Sequence, residues 1–194
     1  MLFFSCQELT PEFHCDMMGT KGCAIFMNYS LTEARESYDF LAIARLAEEV
    51  WHNTYDSIIG PEQVDYMLKK FQNADVIKND IKQNGYRYLI AKNDDGILGY
   101  CGIKPEDNKQ IFLSKVYVSP KFQRKGIAKS MIQYLKEEYQ PLGYTQMHMT
   151  VNKNNRNAIL TYEKLGFIKS GELVTDIGKG FVMDDDTMVL KFED

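Results

Sequence analysis

The sequence predicts an α+β protein built on one mixed β-sheet. Three observations lead to this fold class: helical patterns fill the first third of the chain, short strands then follow in hairpins, and strands finally alternate with helices. The chain has 194 residues, 44% hydrophobic and 26% charged, an ordinary balance for one well-buried domain. No repeat, linker or low-complexity segment divides it, so we expect a single domain.

The first helices are recognised by their apolar stripes. From Asp39 onward, apolar residues recur at helical spacing. This stripe consists of Ile43, Leu46, Ala47, Val50 and Trp51. The polar run at 52–55 interrupts it, and Gly60-Pro61 opens a second helix, because proline suits a first helical turn. A third helical stretch covers 73–84 and ends at Gly85.

The remainder of the chain is predicted to form strands and two more helices. Asn93-Asp94-Asp95-Gly96 is a hairpin signal between the first two strands, and Ser119-Pro120 ends the third. The predicted elements are strands at 86–91, 97–104 and 111–118, a helix at 126–139, a strand at 145–151, a helix at 155–165, and strands at 168–177 and 187–192. A long turn through 178–186 joins the last two strands.

Charge and hydropathy exclude two classes of partner. The 23 Lys and Arg residues against 27 Asp and Glu residues give a formal net charge of −4, so a broad basic surface for nucleic acid is not expected. No apolar run approaches the roughly 18 residues of a membrane span, so no membrane partner is expected either.

The first 26 residues are expected to be an extension without function, and the domain to cover residues 27–194. The extension lacks the basic start and apolar stretch of a secretory signal, which favours a cytoplasmic protein. Cys6, His14, Cys15 and Cys23 match no usual zinc spacing, in which ligands come in close pairs. We therefore predict no metal site.

The most informative segment joins a strand to a helix through a short basic loop. After the strand ends at Pro120, the loop contains Gly126 and the small Ala128. A helix that begins there leaves backbone N–H groups unpaired, and small residues let a ligand approach them closely. Arg124, Lys125 and Lys129 surround them with positive charge. The pattern fits an anion cradle for a pyrophosphate, and an ordinary turn with a solvated basic loop is the alternative.

Two motifs resemble those of the GNAT acetyltransferase superfamily. Gln123-x-x-Gly126-x-Ala128 resembles its coenzyme A motif, Gln/Arg-x-x-Gly-x-Gly/Ala, and 154–167 resembles its Asn-x-x-Ala-x-x-x-Tyr-x-x-x-Gly-Phe helix. The general layout is similar to bacterial small-molecule acetyltransferases. The resemblance implies a twisted, mostly antiparallel mixed sheet with a central, splayed parallel strand pair and helices on both faces.

The resemblance also implies how acetyl-CoA, the acyl donor, is bound. In the family, the strand before the loop bulges, and the pantetheine arm pairs with its backbone in the gap beside the next parallel strand. The matching positions are Val116, Tyr117, Val118 and Asn157 for the arm, and Gln123, Arg124, Lys125, Gly126, Ile127, Ala128 and Lys129 for the pyrophosphate. Asn157 also suits a helix-start residue that satisfies local amides.

Tyr162 matches the family's general acid. A phenol, with a reference pKa of about 10, is a sensible proton donor to the departing thiolate. The alternative is a packed aromatic residue, because Tyr162 shares one helix face with Ala158, Ile159 and Leu165.

The sequence does not identify the general base. Many relatives place a glutamate in the strand before the bulge, where this chain has Ser114-Lys115. A water chain or a group from the first helices, such as Glu48, Glu49 or His52, can take that role. Positioning of the two substrates can also supply much of the rate without a base in contact.

The resemblance implies a primary amine of a small molecule as acceptor, polyamine-like being one option, with direct attack in a ternary complex. Acceptor specificity is expected from 52–59 with Trp51 and Tyr55, and from the late turn, where Asp184–Asp186 can attract a cation or form a hydrated turn. Acetylation of a protein N-terminus or lysine, and a non-catalytic acyl-CoA-binding module, are the alternatives. Many relatives are dimers, so a homodimer is one option.

Overall fold

A computed structural model describes residues 28–192 and confirms the α+β class with a seven-stranded mixed sheet. The strands are β1 (Ser30–Glu33), β2 (Arg87–Asn93), β3 (Gly96–Pro105), β4 (Gln110–Val118), β5 (Gln146–Asn152), β6 (Ile168–Gly178) and β7 (Phe181–Lys191). The helices are α1 (Ser37–Ile59), α2 (Pro61–Phe71), α3 (Ala74–Gln83), α4 (Ile127–Tyr139) and α5 (Arg156–Lys164). Single 3-10 turns lie at Pro120–Phe122 and Gln140–Leu142.

The strands are arranged in the order β1-β2-β3-β4-β5-β7-β6, and β4 and β5 form its parallel pair, while the other neighbours run antiparallel. Helices cover both faces and bury two apolar cores. Helices α1, α2 and α3 pack on one face, around residues such as Ile43, Ile77 and Tyr100. Helices α4 and α5 pack on the other, around Ile127, Met131 and Phe167.

The parallel pair diverges in the middle of the sheet. Pairing between β4 and β5 extends from Gln110 opposite Gln146 to Phe112 opposite His148. Beyond this point β4 continues only along β3, and β5 continues only along β7 as far as Asn152. A gap therefore opens between the ends of the two strands, as the splayed arrangement predicts.

One extra residue in β4 produces a bulge beside this gap. Gly102 of β3 lies opposite Lys115, but the next residue of β3, Ile103, lies opposite Leu113, so Ser114 has no partner in the register. A one-residue insertion moves all following side chains to the other face of a sheet. The bulge confirms the expectation for this strand.

The bulge decides which side chains enter which core. Ile111 before it and Val116 and Val118 after it pack on the α4 and α5 side, although strict alternation would separate them. Tyr117 instead packs with the core under α1. If every residue of β4 from Ile111 onward alternated strictly, Tyr117 would lie on the same face as Ile111.

The structure differs from the sequence prediction in the first helix and the first strand. Helix α1 continues through the polar run at 52–55 to Ile59, because Tyr55 packs inward against Trp51 and His52 pairs with Asp56 one turn later at 3.0 Å. Strand β1 has no counterpart in the prediction, since four residues of mixed polarity provide too short a pattern.

The last strand is also longer than predicted. Strand β7 begins at Phe181 and not at Thr187, and it follows a tight turn at Lys179-Gly180 where both residues have positive φ. Asp184–Asp186 therefore lie inside the sheet and not in a hydrated turn: all three pair with β6, and Asp185 and Asp186 also pair with β5. Three successive aspartates are depleted in strands, so the pattern alone favours a turn.

Asp80→Ala is predicted to destabilise the domain by about 3 kcal/mol or more. The change leaves the buried Lys115 ammonium of β4 without its carboxylate partner, and an uncompensated buried charge costs about that much. Urea unfolding measures the loss. The matched control is Asp75→Ala, which removes an exposed carboxylate of the same helix and is expected to cost less than about 1 kcal/mol. An Asp80 variant with the wild-type urea midpoint would contradict this role of the pair.

Candidate active site

Some backbone N–H and C=O groups of β4 face the gap between the diverging strands. The Ser119 N–H donates to Leu98 of β3 at 2.9 Å, whereas the Val118 carbonyl accepts from the Gln123 side chain at 3.2 Å. Successive residues of a strand direct their backbone groups to opposite edges. The backbone of Tyr117 therefore faces β3, and the backbones of Val116 and Val118 face the gap.

The loop after β4 forms a cluster of unpaired backbone donors. None of the N–H groups of residues 124–129 has a hydrogen-bond acceptor among the described residues. Arg124 and Gly126 have φ angles of 61° and 84°, and this left-handed geometry alternates with ordinary backbone to form a concave turn at the start of α4. The cluster has the chemistry of an anion site, in which a helix N-terminus adds a favourable dipole.

The side chains around this loop add a positive field. Arg124, Lys125 and Lys129 are exposed, and none of them forms an ion pair with another described residue. Lys125 lies over the ring of Phe122 at 5.2 Å. The structure thus brings together the predicted loop residues, with Ile127 buried beneath them as an anchor for the helix.

Three tyrosines from three elements meet at the gap. The Tyr55 hydroxyl of α1 accepts a hydrogen bond from the Asn155 side chain at 3.3 Å and shares a second hydrogen bond with the Tyr117 hydroxyl. Tyr162 of α5 lies on the other side of the sheet but is close enough to both rings to affect their pKa values. The contact is possible because no strand fills the gap between them.

Tyr162 occupies a dry environment. Its side chain is only 8% exposed, its ring meets Phe167 edge-on at 5.7 Å, and no described residue hydrogen-bonds to its hydroxyl. Burial raises the pKa of Tyr162 above its ordinary value, and the neighbouring Tyr55 and Cys101 add to the shift. The same burial raises the pKa of the Cys101 thiol to about 12. The phenol is therefore fully protonated at neutral pH.

The helix cap of α5 comes from Asn155 and not from Asn157. Asn155 is buried, accepts from the Ala158 N–H at 3.2 Å and reaches Tyr55, so it links the cap to the tyrosines. Asn157 is exposed in the first turn of the helix. The sequence contained a signal for this, because Asn155 precedes Ala158 by the three positions of the Asn-x-x-Ala motif.

A cation occupies the part of β4 where many relatives have a glutamate. The Lys115 ammonium is buried, lies 3.4 Å from the Asp80 carboxylate of α3, and sits over the rings of Tyr86 and Tyr88. Burial lowers the pKa of Lys115, and Asp80 opposes the shift. This pair stabilises the attachment of α3 to the sheet and supplies no free carboxylate.

The base candidates from α1 are differently placed. Glu48 and Glu49 are exposed on the solvent side of the helix. His52 lies between Asp56 at 3.0 Å and Asp65 at 3.4 Å, which links α1 to α2. Glu48 and Glu49 are therefore surface residues, and His52 joins two helices.

The three aspartates of β7 have different partners. Asp184 forms an ion pair with Lys153, and Asp186 lies 2.7 Å from the Lys169 ammonium. Asp185 is 5% exposed and hydrogen-bonds to Thr150 of β5. Sequence reasoning treated the three as equivalent, because the partners come from distant segments of the chain.

Other kinds of site have little support in the described range. Across residues 28–192, His, Cys, Asp and Glu side chains nowhere gather in a group able to hold a metal ion. Within the same range, no helix has both the length and the apolar composition of a membrane span. The extension 1–26, with Cys6, His14, Cys15 and Cys23, lies outside the described residues.

A bulged, splayed sheet beside an anion site at a helix N-terminus defines an acyl-CoA-dependent transferase. The family model described as acetyltransferase (GNAT) family matches residues 43–167, more than half of the chain. The chain therefore belongs to the GNAT family and is an N-acetyltransferase that uses acetyl-CoA.

Individual relatives agree with this assignment. An uncharacterised N-acetyltransferase of Lactobacillus delbrueckii subsp. lactis is 24% identical over 155 residues, which are 76% of this chain and 84% of that protein. N-acetyltransferase 8 of Rattus norvegicus is 28% identical over 54% of this chain, and the match spans about half (49%) of that protein. The fold resembles the PaiA N-acetyltransferase of Thermoplasma acidophilum in complex with coenzyme A, with a TM-score of 0.70, 20% identity and coverage of 85% and 99% of the two chains.

The contact between Tyr55 and Tyr117 is predicted to be energetically coupled. Tyr55→Phe and Tyr117→Phe each remove one partner of their hydrogen bond and are expected to destabilise the domain by about 1 kcal/mol. The double variant should cost less than the two single losses added together, since both remove the same bond. Urea unfolding of the four proteins measures this coupling. Tyr38→Phe, at an exposed tyrosine of α1, should change little; strictly additive losses would contradict the contact.

Proposed function

We propose that this enzyme transfers the acetyl group of acetyl-CoA to a primary amine of a small molecule, by direct attack while both substrates are bound. The observation that supports it best is the set of unpaired N–H groups at 124–129, which adjoins a gap with a buried phenol at Tyr162. A carrier whose phosphates are bound at 124–129 reaches the Tyr162 phenol through the gap.

The loop fits the pyrophosphate of the donor. Backbone donors of Arg124 through Lys129 have no other described acceptor, and buried or converging donors require one. The side chains of Arg124, Lys125 and Lys129 supply long-range attraction. Gln123 holds the loop against the end of β4 through its bond to Val118. These backbone and side-chain donors would hold the diphosphate, with no protein ligands for a metal ion involved.

The gap fits the pantetheine arm. The backbones of Val116 and Val118 face the gap with no strand opposite, so an extended amide chain can pair with them as an added strand. In this proposal Tyr117 contributes its side chain to the wall, and Asn157, exposed at the start of α5, contacts the arm.

Tyr162 is the proposed general acid. When the amine attacks the thioester, charge develops on the carbonyl oxygen, which the Val116 N–H can stabilise, and then on sulfur. The phenol gives its proton to that sulfur. Its raised pKa does not prevent this transfer, because the same surroundings raise the pKa of a thiol, as Cys101 shows with a value of about 12.

The alternatives are an acceptor on a protein, either an N-terminus or a lysine, and a module that binds acyl-CoA without catalysis. Release of free thiol from acetyl-CoA is measured against polyamines, amino acids, aminoglycosides and peptides. We expect turnover with a small amine. Turnover with peptides alone would favour the protein acceptor, and tight coenzyme A binding with no turnover would favour the module.

Three further expectations from the sequence stay predictions. They are the homodimer, the cytoplasmic location and a single domain at 27–194.

Tyr162→Phe is predicted to lower turnover by about 100-fold or more, because proton transfer by a placed side chain contributes that much. Coenzyme A affinity should change less than about twofold, since the hydroxyl bonds to no described residue. Thiol release and calorimetric titration with coenzyme A give the two values. Unchanged turnover would remove Tyr162 from the mechanism.

Gly126→Glu is predicted to weaken coenzyme A binding by about 100-fold, equal to the loss of roughly two charge-assisted hydrogen bonds. The glutamate introduces negative charge at the cradle and strains a φ of 84°. Gly143→Glu is the matched control, with a φ of 82° and open space around an added side chain. It should bind coenzyme A as the wild type does. Equal affinities for both variants would refute the placement of the pyrophosphate.

A further inference from the structure

Asp185 differs from its two neighbours in having no cation. Asp184 pairs with Lys153 and Asp186 with Lys169, while the salt bridges of the described residues include none to Asp185. Its side chain is nevertheless 95% withdrawn from solvent, with an exposure of 5%. Buried carboxylates are normally paired, so an unmatched one calls for a positively charged ligand.

Asp185 lies beside the gap where the acetyl group arrives. It pairs across the sheet with Asn152, in the part of β5 that has no strand on its other side. Strand neighbours are about 4.8 Å apart, so Asp185 is one strand away from the gap. It also lies near enough to Tyr55, the tyrosine between Tyr117 and Asn155, to affect its pKa.

The polar surroundings of Asp185 are few, and none of them is a cation. Thr150 from β5 hydrogen-bonds to the carboxylate, Tyr55 faces it from α1, and Asp184 and Asp186 flank it on β7. Burial raises the pKa of Asp185, the Thr150 bond lowers it, and the two flanking carboxylates raise it. No basic side chain of the described residues contributes.

A second polar group of this cluster also lacks a partner. Trp51 contacts the rings of Tyr55 and Tyr117 at 5.2 and 5.8 Å, and its indole N–H is buried with no acceptor among the described residues. A buried donor without an acceptor costs about 1–3 kcal/mol. An unmatched carboxylate and an unmatched donor both lie next to Tyr55, which indicates that a polar ligand binds on this side of the sheet.

We propose that the Asp185 carboxylate binds the ammonium group of the acceptor and removes one proton from it. This inference rests on the proposed function and assigns the base that the sequence left open. The acceptor class is accordingly a primary amine that is protonated at neutral pH. Lys115, which occupies the usual place of the carboxylate in β4, is paired with Asp80, so the base comes from β7 and not from β4.

The proton balance of the transfer is complete with these groups. The ammonium gives one proton to Asp185, and the lone pair of the resulting amine forms the bond to the acetyl carbon. The carbon–sulfur bond breaks with its electron pair on sulfur, which takes a proton from Tyr162. The second nitrogen proton restores the Tyr162 phenol, and Asp185 releases its proton to solvent, so each turnover yields amide, free thiol and one proton.

A buried site makes the first proton transfer feasible. Desolvation disfavours both charged forms, which raises the pKa of a carboxyl and lowers that of an ammonium. In water the pKa values of the carboxyl and the ammonium differ by about 6.5 units, from reference values near 3.9 and 10.4. The surroundings of Asp185 reduce this difference, whereas an exposed aspartate such as one on a hydrated turn would keep it.

Asp185→Asn tests the proposal, with Asp184→Asn as the matched control at the adjacent position. The probes are spermidine, which is cationic, and hydroxylamine, which is uncharged at neutral pH and needs no base before attack. Asp185→Asn should lower kcat/KM for spermidine by about 100-fold or more and leave the hydroxylamine rate within about threefold. Asp184→Asn should leave both rates within about twofold. Coenzyme A affinity and the urea midpoint show whether each variant is folded.

Thr150→Val gives a second measurement that does not remove the carboxylate. Loss of the hydrogen bond to the ionised form raises the pKa of Asp185, so the acid-side inflection of kcat/KM should move to higher pH. An unmoved inflection, equal losses in the two aspartate variants, or equal losses with both probes would overturn the inference.

The outcomes also separate this inference from the proposed function. Thiol release with hydroxylamine above the rate without enzyme, but with no cationic amine of the panel, would overturn the role of Asp185 and retain enzymatic acetyl transfer. Absence of thiol release with every nucleophile would overturn the proposed function itself.

Discussion

The divergence of β4 from β5 is the constraint on which the rest of the site depends. A parallel pair that separates after Phe112 and His148 leaves backbone donors and acceptors without a strand partner in the interior of a protein. Such groups are stable only if something else satisfies them. In this enzyme the arrangement suits a linear amide-containing carrier, and the helices on both faces can reach one another only through that opening.

The bulge at Ser114 adapts the side chains to this opening. The bulge interrupts the alternation of side chains along β4, so that Tyr117 faces α1 and Val116 and Val118 lie in the opposite core. The hydroxyls of Tyr55 and Tyr117 then meet at one edge of the gap, and the Tyr162 phenol approaches from α5. Low polarity around these groups keeps each phenol protonated, which is the state required of an acid.

Charge is distributed between backbone and side chains in a consistent way. At the loop, fixed N–H groups supply short-range donors, and exposed basic side chains supply a field without fixed geometry. Among the buried charged side chains of the sheet, Lys115 pairs with Asp80 and Asp186 pairs with Lys169. The unmatched carboxylate at Asp185 differs from this pattern, and it lies one strand away from the gap.

The sequence by itself determined the order of the elements from α1 onward, the GNAT motifs and the loop from Gln123 to Lys129, because capping, periodicity and motif spacing are local properties. It did not determine β1, the full extent of α1 or the start of β7, where tertiary contacts add to or outweigh local preference. Only the folded structure separated Asp185 from Asp184 and Asp186, or joined Tyr55 to Tyr117. Asp186 and Lys169 lie 17 residues apart in the chain, and Tyr55 and Tyr117 lie 62 apart. Pairing across a sheet depends on register, which a local pattern cannot specify.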